Sequence, residues 1–229
     1  MRKFLLNRAA CLALMCAALV LLAAALPANA DTLYTTGGVP PTFLNNSGFS
    51  LGTGGNVLAE SFVPVETATL TDAILPLQLF EDPPGDVVTV YIESSSGGAP
   101  TGTILDTLTT TGTITGTGQN FTFTCAVCSQ LLSGTTYDIV VQQTAGIDTP
   151  RWNLRSPATG GTVYLDGGTD PTSTSWTSFS LGNTAAFEVD GTDPVATPEP
   201  SSLLLLGAGL LALVAVGRKK FAADGLAQS

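Results

Sequence analysis

The chain has two long apolar segments without a charged residue, one near each terminus. Only the residues between these segments are available to form an ordinary globular domain. The two segments span residues 9–26 and 203–217. Uncharged apolar runs of this kind are typical of segments that enter a membrane. Removing the two ends leaves roughly 165 residues, which is the size of one ordinary domain.

The N-terminal apolar run has the flanks of a secretory signal peptide. A basic start and a small-residue cleavage site enclose it: Arg2, Lys3 and Arg8 on one side, and Ala28 and Ala30 on the other. These parts, in this order, are the pattern that signal peptidase recognises. We therefore predict that residues 1–30 form a helical signal peptide and that the mature chain begins at Asp31. An uncleaved membrane anchor is the alternative interpretation.

The C-terminal apolar run also has distinctive flanks. Pro198, Glu199 and Pro200 precede it, and Arg218, Lys219 and Lys220 follow it. As a helix, its roughly 15 residues measure about 23 Å, which is shorter than the roughly 30 Å hydrocarbon core of a bilayer. Because basic residues stay on the cytoplasmic side, residues 31–193 are expected outside the cytoplasm. The sequence thus predicts a linker over 194–202, a transmembrane helix over 203–217 and a cytoplasmic tail over 218–229.

This combination of motif, short apolar run and basic end resembles the PEP-CTERM family of sorting tails. The resemblance implies that an exosortase, a membrane protease-transpeptidase, processes the chain near Pro198–Pro200 after the tail has held it transiently in the inner membrane. It also implies a final location on the cell surface or in the extracellular matrix, since members of the family are typically linked to extracellular polysaccharide and biofilm production. A plain rigid linker before an anchor is the alternative.

The middle of the chain alternates apolar and polar residues with a period of two, as half-buried strands do. The clearest apolar sets are Val88, Val90 and Ile92; Phe121 and Phe123; Tyr137, Ile139 and Val141; and Phe187 and Val189. Turn-forming Gly, Pro, Asp and Ser separate them, and no segment sustains a helical period. We predict one all-β domain over residues 31–193, an antiparallel β-sandwich or jelly roll, flanked by the signal-peptide helix and the transmembrane helix.

The order of features in this domain resembles the choice-of-anchor R type of bacterial surface domain. The segments that carry the resemblance are residues 59–63, 87–93, 97–105, 132–137, 151–152 and 186–189. The family pattern has a Trp just after Tyr137, where this chain has Asp138. The resemblance covers nearly all of the predicted domain and implies no enzyme activity.

The distribution of charge excludes one class of partner. Between Asp31 and Glu199, only Arg151 and Arg155 oppose 17 of the 18 acidic residues, giving a formal charge of −15. Nucleic-acid binding needs clustered Lys and Arg to meet the phosphates. We therefore expect no nucleic-acid partner, and we interpret the acidity mainly as a source of solubility.

The absence of His from the chain limits its chemistry. It removes Ser-His-Asp triads, Cys-His pairs and imidazole metal sites. Catalysis would have to use carboxylates alone, as in glycoside hydrolysis. The candidates are Glu60, Glu66, Glu93 and Glu188. Their spacing does not pair them, and we expect most of them at solvent-facing strand positions.

Two short motifs remain. Cys125 and Cys128 are expected to form a short-loop disulfide in an oxidising compartment, with free thiols or a redox or metal role as alternatives. The acidic glycine turn from Asp166 to Asp170 has oxygen ligands that suit Ca²⁺ but lacks the EF-hand spacing. An ordinary turn is therefore favoured, and we predict no metal and no cofactor.

Aromatic residues beside the two arginines suggest a carbohydrate contact. Trp152 lies between Arg151 and Arg155, so the three are candidate sugar-contacting residues. Trp152, Tyr164 and Trp176 could all present flat rings to sugars, but we favour positions that cap the sandwich core. The two arginines are equally suited to pairing with the surplus carboxylates. We predict a non-enzymatic exported surface or matrix protein with signal peptidase and exosortase as its partners. The alternatives are a lectin-like module that binds polysaccharide and a hydrolase of matrix polymers.

Overall fold

The computed structural model describes residues 30–36, 38–52, 56–79, 86–114, 116–146, 149–155, 162–179 and 184–193. The chain divides into two compact units, Met1–Asp193 and Pro194–Ser229. The predicted signal peptide before Ala30, the linker, the transmembrane helix and the basic tail all lie outside the described residues. Within those residues, no helix is long and apolar enough to cross a membrane.

Thirteen strands make up the secondary structure of the described residues. They are β1 (Asp31–Thr35), β2 (Phe43–Ser50), β3 (Val57–Phe62), β4 (Ala68–Gln78), β5 (Val87–Ser96), β6 (Ala99–Thr109), β7 (Gln119–Thr124), β8 (Gln130–Leu131), β9 (Tyr137–Ala145), β10 (Arg151–Arg155), β11 (Val163–Asp166), β12 (Thr177–Phe179) and β13 (Glu188–Thr192). The all-β prediction is confirmed.

The strands form one sheet in which every described pair is antiparallel. Neighbours follow the order β1-β13-β4-β7-β6-β5-β9-β3-β11-β12, while β8 and β10 pair with β4 and β2 pairs with β10. Strands β6 and β7 share only the pair Thr109 and Thr124. The two halves joined there face each other, since the rings of Phe62 and Phe187 lie 6.1 Å apart. The arrangement is consistent with a β-sandwich.

The main core lies between these halves and contains the apolar residues that the period of two assigned to buried faces. Val90, Ile92, Ile139, Val141, Phe123 and Phe187 are completely buried. Each fully buried aliphatic or Phe side chain contributes about 1.5–3 kcal/mol relative to an exposed one. Alternating apolar residues therefore fix which face of each strand points inward.

A second, smaller apolar cluster covers the outer face of the β5-β9-β3-β11 part of the sheet. Val57, Ala59 and Val140 are completely buried there, beneath the half-buried rings of Tyr91, Tyr164 and Trp176. Trp176 lies in the connection between β11 and β12. This part of the sheet is thus buried on both faces, and polar residues in its strands are removed from water.

Candidate functional site

A row of polar side chains crosses three strands on this covered outer face. The register places Glu93 of β5 opposite Asp138 of β9, and Asp138 opposite Ser61 of β3. Side chains at directly opposed positions of antiparallel strands have Cβ atoms about 4.5–5.5 Å apart. The two carboxyl groups and the hydroxyl therefore form one cluster, and both carboxyl side chains are completely buried.

Ser61 links Asp138 to the turn after β5. The Ser61 hydroxyl oxygen lies 2.6 Å from Oδ1 of Asp138 and 2.5 Å from the carbonyl oxygen of Gly98. A serine hydroxyl has one proton to donate, so the Ser61 O–H is shared between these two acceptor oxygens. Burial raises the pKa of Asp138 to about 6, although hydrogen bonds from the Ser61 and Ser95 hydroxyls oppose the shift.

Glu93 shares the same covered environment. Its Oε2 accepts a 2.9 Å hydrogen bond from the backbone N–H of Gly102. Burial raises the pKa of Glu93 to about 7, the Gly102 N–H opposes that shift, and the charges of Asp138 and Asp170 add to it. Two neighbouring carboxyl groups in a dry site do not readily ionise together, so the pair holds a proton near neutral pH.

The connection between β11 and β12 closes over this row. Tyr91 donates to Oε1 of Gln142 at 3.2 Å, and the Gln142 amide donates to the carbonyl oxygen of Thr169. Gly102 has φ +77° and no room for a side chain, because a Cβ there would overlap the Thr172 carbonyl. The backbone of the connection thus rests directly on β6. A carboxylate that hydrolyses a polymer must reach its substrate, and Glu93 and Asp138 are covered.

A second group of carboxylates lies beside β13. Glu188 is completely buried and accepts a 3.0 Å hydrogen bond from the Thr32 hydroxyl, while Asp190 lies opposite Asp72. Burial raises the pKa of Glu188 to about 7, with the Thr32 bond opposing the shift and the neighbouring carboxylates Asp190 and Asp72 adding to it. Burial, followed by the charge of Asp72, likewise raises the pKa of Asp190.

Glu60 points into the main core, on the same face of β3 as Leu58 and Phe62. Its Oε2 accepts a 2.8 Å hydrogen bond from the backbone N–H of Ala185. Burial raises the pKa of Glu60 to about 8, while the Ala185 N–H and the positive charge of Arg155 oppose the shift.

The prediction that most of the candidate glutamates face solvent is therefore wrong. Glu60, Glu93 and Glu188 are all buried, whereas Glu66 lies half-exposed in the loop between β3 and β4. The alternation rule failed because it assumes one solvated face for each strand. Here Glu60 lies on the core face of β3, and the connection between β11 and β12 covers the outer face at Glu93.

The core position favoured for Trp152 is confirmed, and its alternative role as a sugar contact is wrong. Its side chain is completely buried, its Nε1 donates a 2.8 Å hydrogen bond to the Ala186 carbonyl, and its ring packs edge-on against Phe187 at 5.8 Å. A ring in this position cannot stack on a ligand. Arg151 and Arg155 are half-buried on β10, and Arg155 acts on the buried Glu60. The three residues do not form a sugar platform.

The surroundings of the two remaining motifs, the pair Cys125 and Cys128 and the turn from Asp166 to Asp170, indicate a structural role. The sulfur atoms of Cys125 and Cys128 are placed in bonding contact, while oxidation of the pair in the mature protein stays a prediction. Asp170 closes a turn by accepting hydrogen bonds from the N–H of Thr172 at 2.9 Å and from its hydroxyl at 2.7 Å. In the described part of the chain, no group of three or more His, Cys, Asp or Glu residues is placed to hold a metal ion.

The comparison with known families bears on the C-terminal segment. Residues 196–220 match the family model of the PEP-CTERM protein-sorting motif. This chain carries a PEP-CTERM sorting motif. The match contains Pro198–Pro200, the apolar run and the basic cluster, so the resemblance of this tail to PEP-CTERM sorting tails is confirmed. No curated protein matches the chain, and the resemblance of residues 31–193 to choice-of-anchor R domains stays a prediction.

The PEP-CTERM motif assigns a processing route to the chain. It marks an exported protein that is addressed to an exosortase and is anchored transiently in the membrane before processing. The β-domain is the cargo of this route. Sequence reasoning did not identify the cluster of Glu93 with Gly102 and Asp138, or the contact of Asp138 with Ser61, because only the register of β3, β5, β6 and β9 brings them together.

Proposed function

We propose that this chain is a non-enzymatic structural protein whose β-sandwich is delivered by an exosortase to the cell surface or extracellular matrix. The observation that carries the proposal is the PEP-CTERM match over residues 196–220. Signal peptidase removes residues 1–30, and the released domain associates with extracellular polysaccharide.

The chemistry of the domain supports a role without catalysis. Nucleophilic mechanisms that rely on imidazole are excluded because the chain has no His. A glycosidase needs two accessible carboxyl groups on either side of a bound sugar. Of the two cross-strand carboxyl pairs described, Asp190 with Asp72 is half-buried, and Glu93 with Asp138 is completely buried. Their hydrogen bonds serve the fold rather than an open cleft.

Alanine substitution of Pro198, Glu199 and Pro200 together tests the processing route. We expect the full-length form to accumulate in the inner membrane, because the motif is what the exosortase recognises. Pro194→Ala is the matched control, since this proline lies in the linker but outside the matched residues. Membrane fractionation and immunoblotting against an internal epitope measure both. Normal maturation of the triple variant would refute the proposal.

Association with polysaccharide has its own test. We expect the mature domain to co-purify with the extracellular matrix of the producing cells and to leave it when polysaccharide synthesis is deleted. A lectin would instead bind defined oligosaccharides on an array and lose that binding in Arg151→Gln, a substitution of a half-buried side chain. Saturable, sugar-specific binding by the purified domain would replace the structural role with the lectin.

A further inference from the structure

Three exposed aliphatic side chains lie together at one end of the domain. They are Val63, Val65 and Leu132, which are 41%, 72% and 49% exposed. The first two belong to the loop between β3 and β4, and the third belongs to the loop between β8 and β9. We call these three residues the exit rim. Single exposed apolar residues are ordinary on protein surfaces, but contiguous sets mark interaction sites.

Hydrogen bonds hold the two loops of the exit rim together. The Ser133 hydroxyl donates to the carbonyl oxygen of Val65 at 3.0 Å, and the Gly134 N–H donates to that of Pro64 at 3.3 Å. The N–H of Val65 donates to Leu33 of β1 at 3.0 Å. The rim is therefore a preformed surface, and binding to it carries little ordering cost.

The exit rim lies at the end of the domain from which the chain continues to the sorting motif. Thr192 closes β13 opposite Thr69, at the beginning of β4, and the β3–β4 loop that carries Val65 leads into that strand. Five residues separate Thr192 from Pro198, and an extended chain covers these six steps in at most about 22 Å. An enzyme that holds the motif in its active site must therefore work within reach of this end of the domain.

Charge around the exit rim decides which partner fits it. Asp31 and Asp193 are exposed at this end, and Glu66 follows Val65 directly. Between Asp31 and Glu199 the only cations are Arg151 and Arg155, and their strand pairs with the opposite end of β4, at Leu77 and Gln78. An acidic border without cations is repelled by an anionic bilayer. It fits a protein surface that is apolar at its centre and basic at its edge.

We propose that the exit rim is a docking surface for the exosortase, which contacts Val63, Val65 and Leu132 while it processes the tail. The inference rests on the proposed function, since it presupposes this processing enzyme. It adds a recognition element outside the matched tail. Recognition then depends on the folded end of the cargo as well as on the Pro-Glu-Pro motif.

Pulse–chase maturation of the full-length chain in the producing cell tests the proposal. The rim variant is Val65→Ser with Leu132→Ser. The control is Val39→Ser with Val87→Ser, because these side chains are similarly exposed, at 66% and 48%, and lie at the other end of the domain. We expect maturation of the rim variant to slow at least fivefold and that of the control to remain unchanged. Equal urea midpoints for the released domains show that both variants fold.

The outcomes separate this inference from the proposed function. If the rim variant matures at the wild-type rate while the Pro198–Pro200 variant is blocked, the docking surface is refuted and the processing route stands. If the rim variant is destabilised, Glu66→Lys replaces it, because reversing this half-exposed charge should slow maturation at a basic enzyme border. Unchanged maturation of Glu66→Lys then refutes the proposal. Rim-dependent flotation of the released domain with phosphatidylglycerol vesicles would assign the surface to lipid and overturn it.

Discussion

Replacing the buried Glu60 by Gln should change how the stability of the domain depends on pH. Glu60 lies in the main core with 4% of its surface exposed, and its Oε2 accepts the Ala185 N–H at 2.8 Å. Gln has nearly the same shape and retains an acceptor oxygen for this bond. The substitution therefore removes the titration of one buried group while leaving its contacts in place.

The magnitude follows from the shift in pKa between the folded and unfolded chain. Burial raises the pKa of Glu60 from its usual 4.5 to about 8. Between these values the folded protein holds a proton that the unfolded chain has released, so stability falls as pH rises. Each pKa unit corresponds to about 1.4 kcal/mol. The loss of stability attributable to Glu60 is therefore about 5 kcal/mol; it is absent below pH 4.5 and complete above pH 8.

Urea unfolding at pH values from 4 to 9 measures the effect on residues 31–193. We expect the free energy of unfolding of Glu60→Gln to match that of wild type near pH 4 and to exceed it by several kcal/mol at pH 9. Glu66→Gln, at a half-exposed loop position, is the control for removing a carboxyl group that the core does not bury. Parallel profiles for wild type and Glu60→Gln would show that the core does not hold a neutral Glu60.

Two further substitutions test the covered face and the cysteine pair. Gly102→Ala should lower the free energy of unfolding, measured with urea, by about 1–3 kcal/mol more than Gly97→Ala does. Both glycines have positive φ, but only a Cβ at Gly102 would meet the connection between β11 and β12, at Thr172. Equal losses in the two variants would contradict this packing. Cys125→Ser with Cys128→Ser should lower the free energy of unfolding by about 2 kcal/mol or less, since the loop that the disulfide closes is short. Reaction of the mature wild-type chain with maleimide before reduction would show that the two cysteines are not bonded.

The sequence predicted the strands best where one face of a strand is apolar and the other is not. Val88, Val90 and Ile92 were assigned to a buried face of β5, and all three are buried. The period of two contains this information locally, because neighbouring side chains point to opposite faces. The C-terminal motif was also recognisable, because its proline motif, apolar run and basic cluster are contiguous in the chain.

The buried carboxylates could not be predicted in the same way. Asp138 follows Tyr137 at a position that the local pattern assigns to solvent, and the residues that cover it are distant in sequence. Ser61 contacts it only through the pairing of β9 with β3, and Gly98, in the turn after β5, contacts Ser61. Such pairings depend on the topology of the sheet, which a period of two does not specify.

Burial of these groups changes what the formal charge of the domain means. The value of −15 counts every carboxyl group between Asp31 and Glu199 as ionised. Burial raises the pKa of Glu60 to about 8 and the pKa values of Glu93 and Glu188 to about 7, so part of that charge is absent at neutral pH. Deprotonation of these groups opposes folding, and their stabilising contribution is therefore greatest at acidic pH. The folded surface therefore carries less negative charge at neutral pH than the sequence alone indicates.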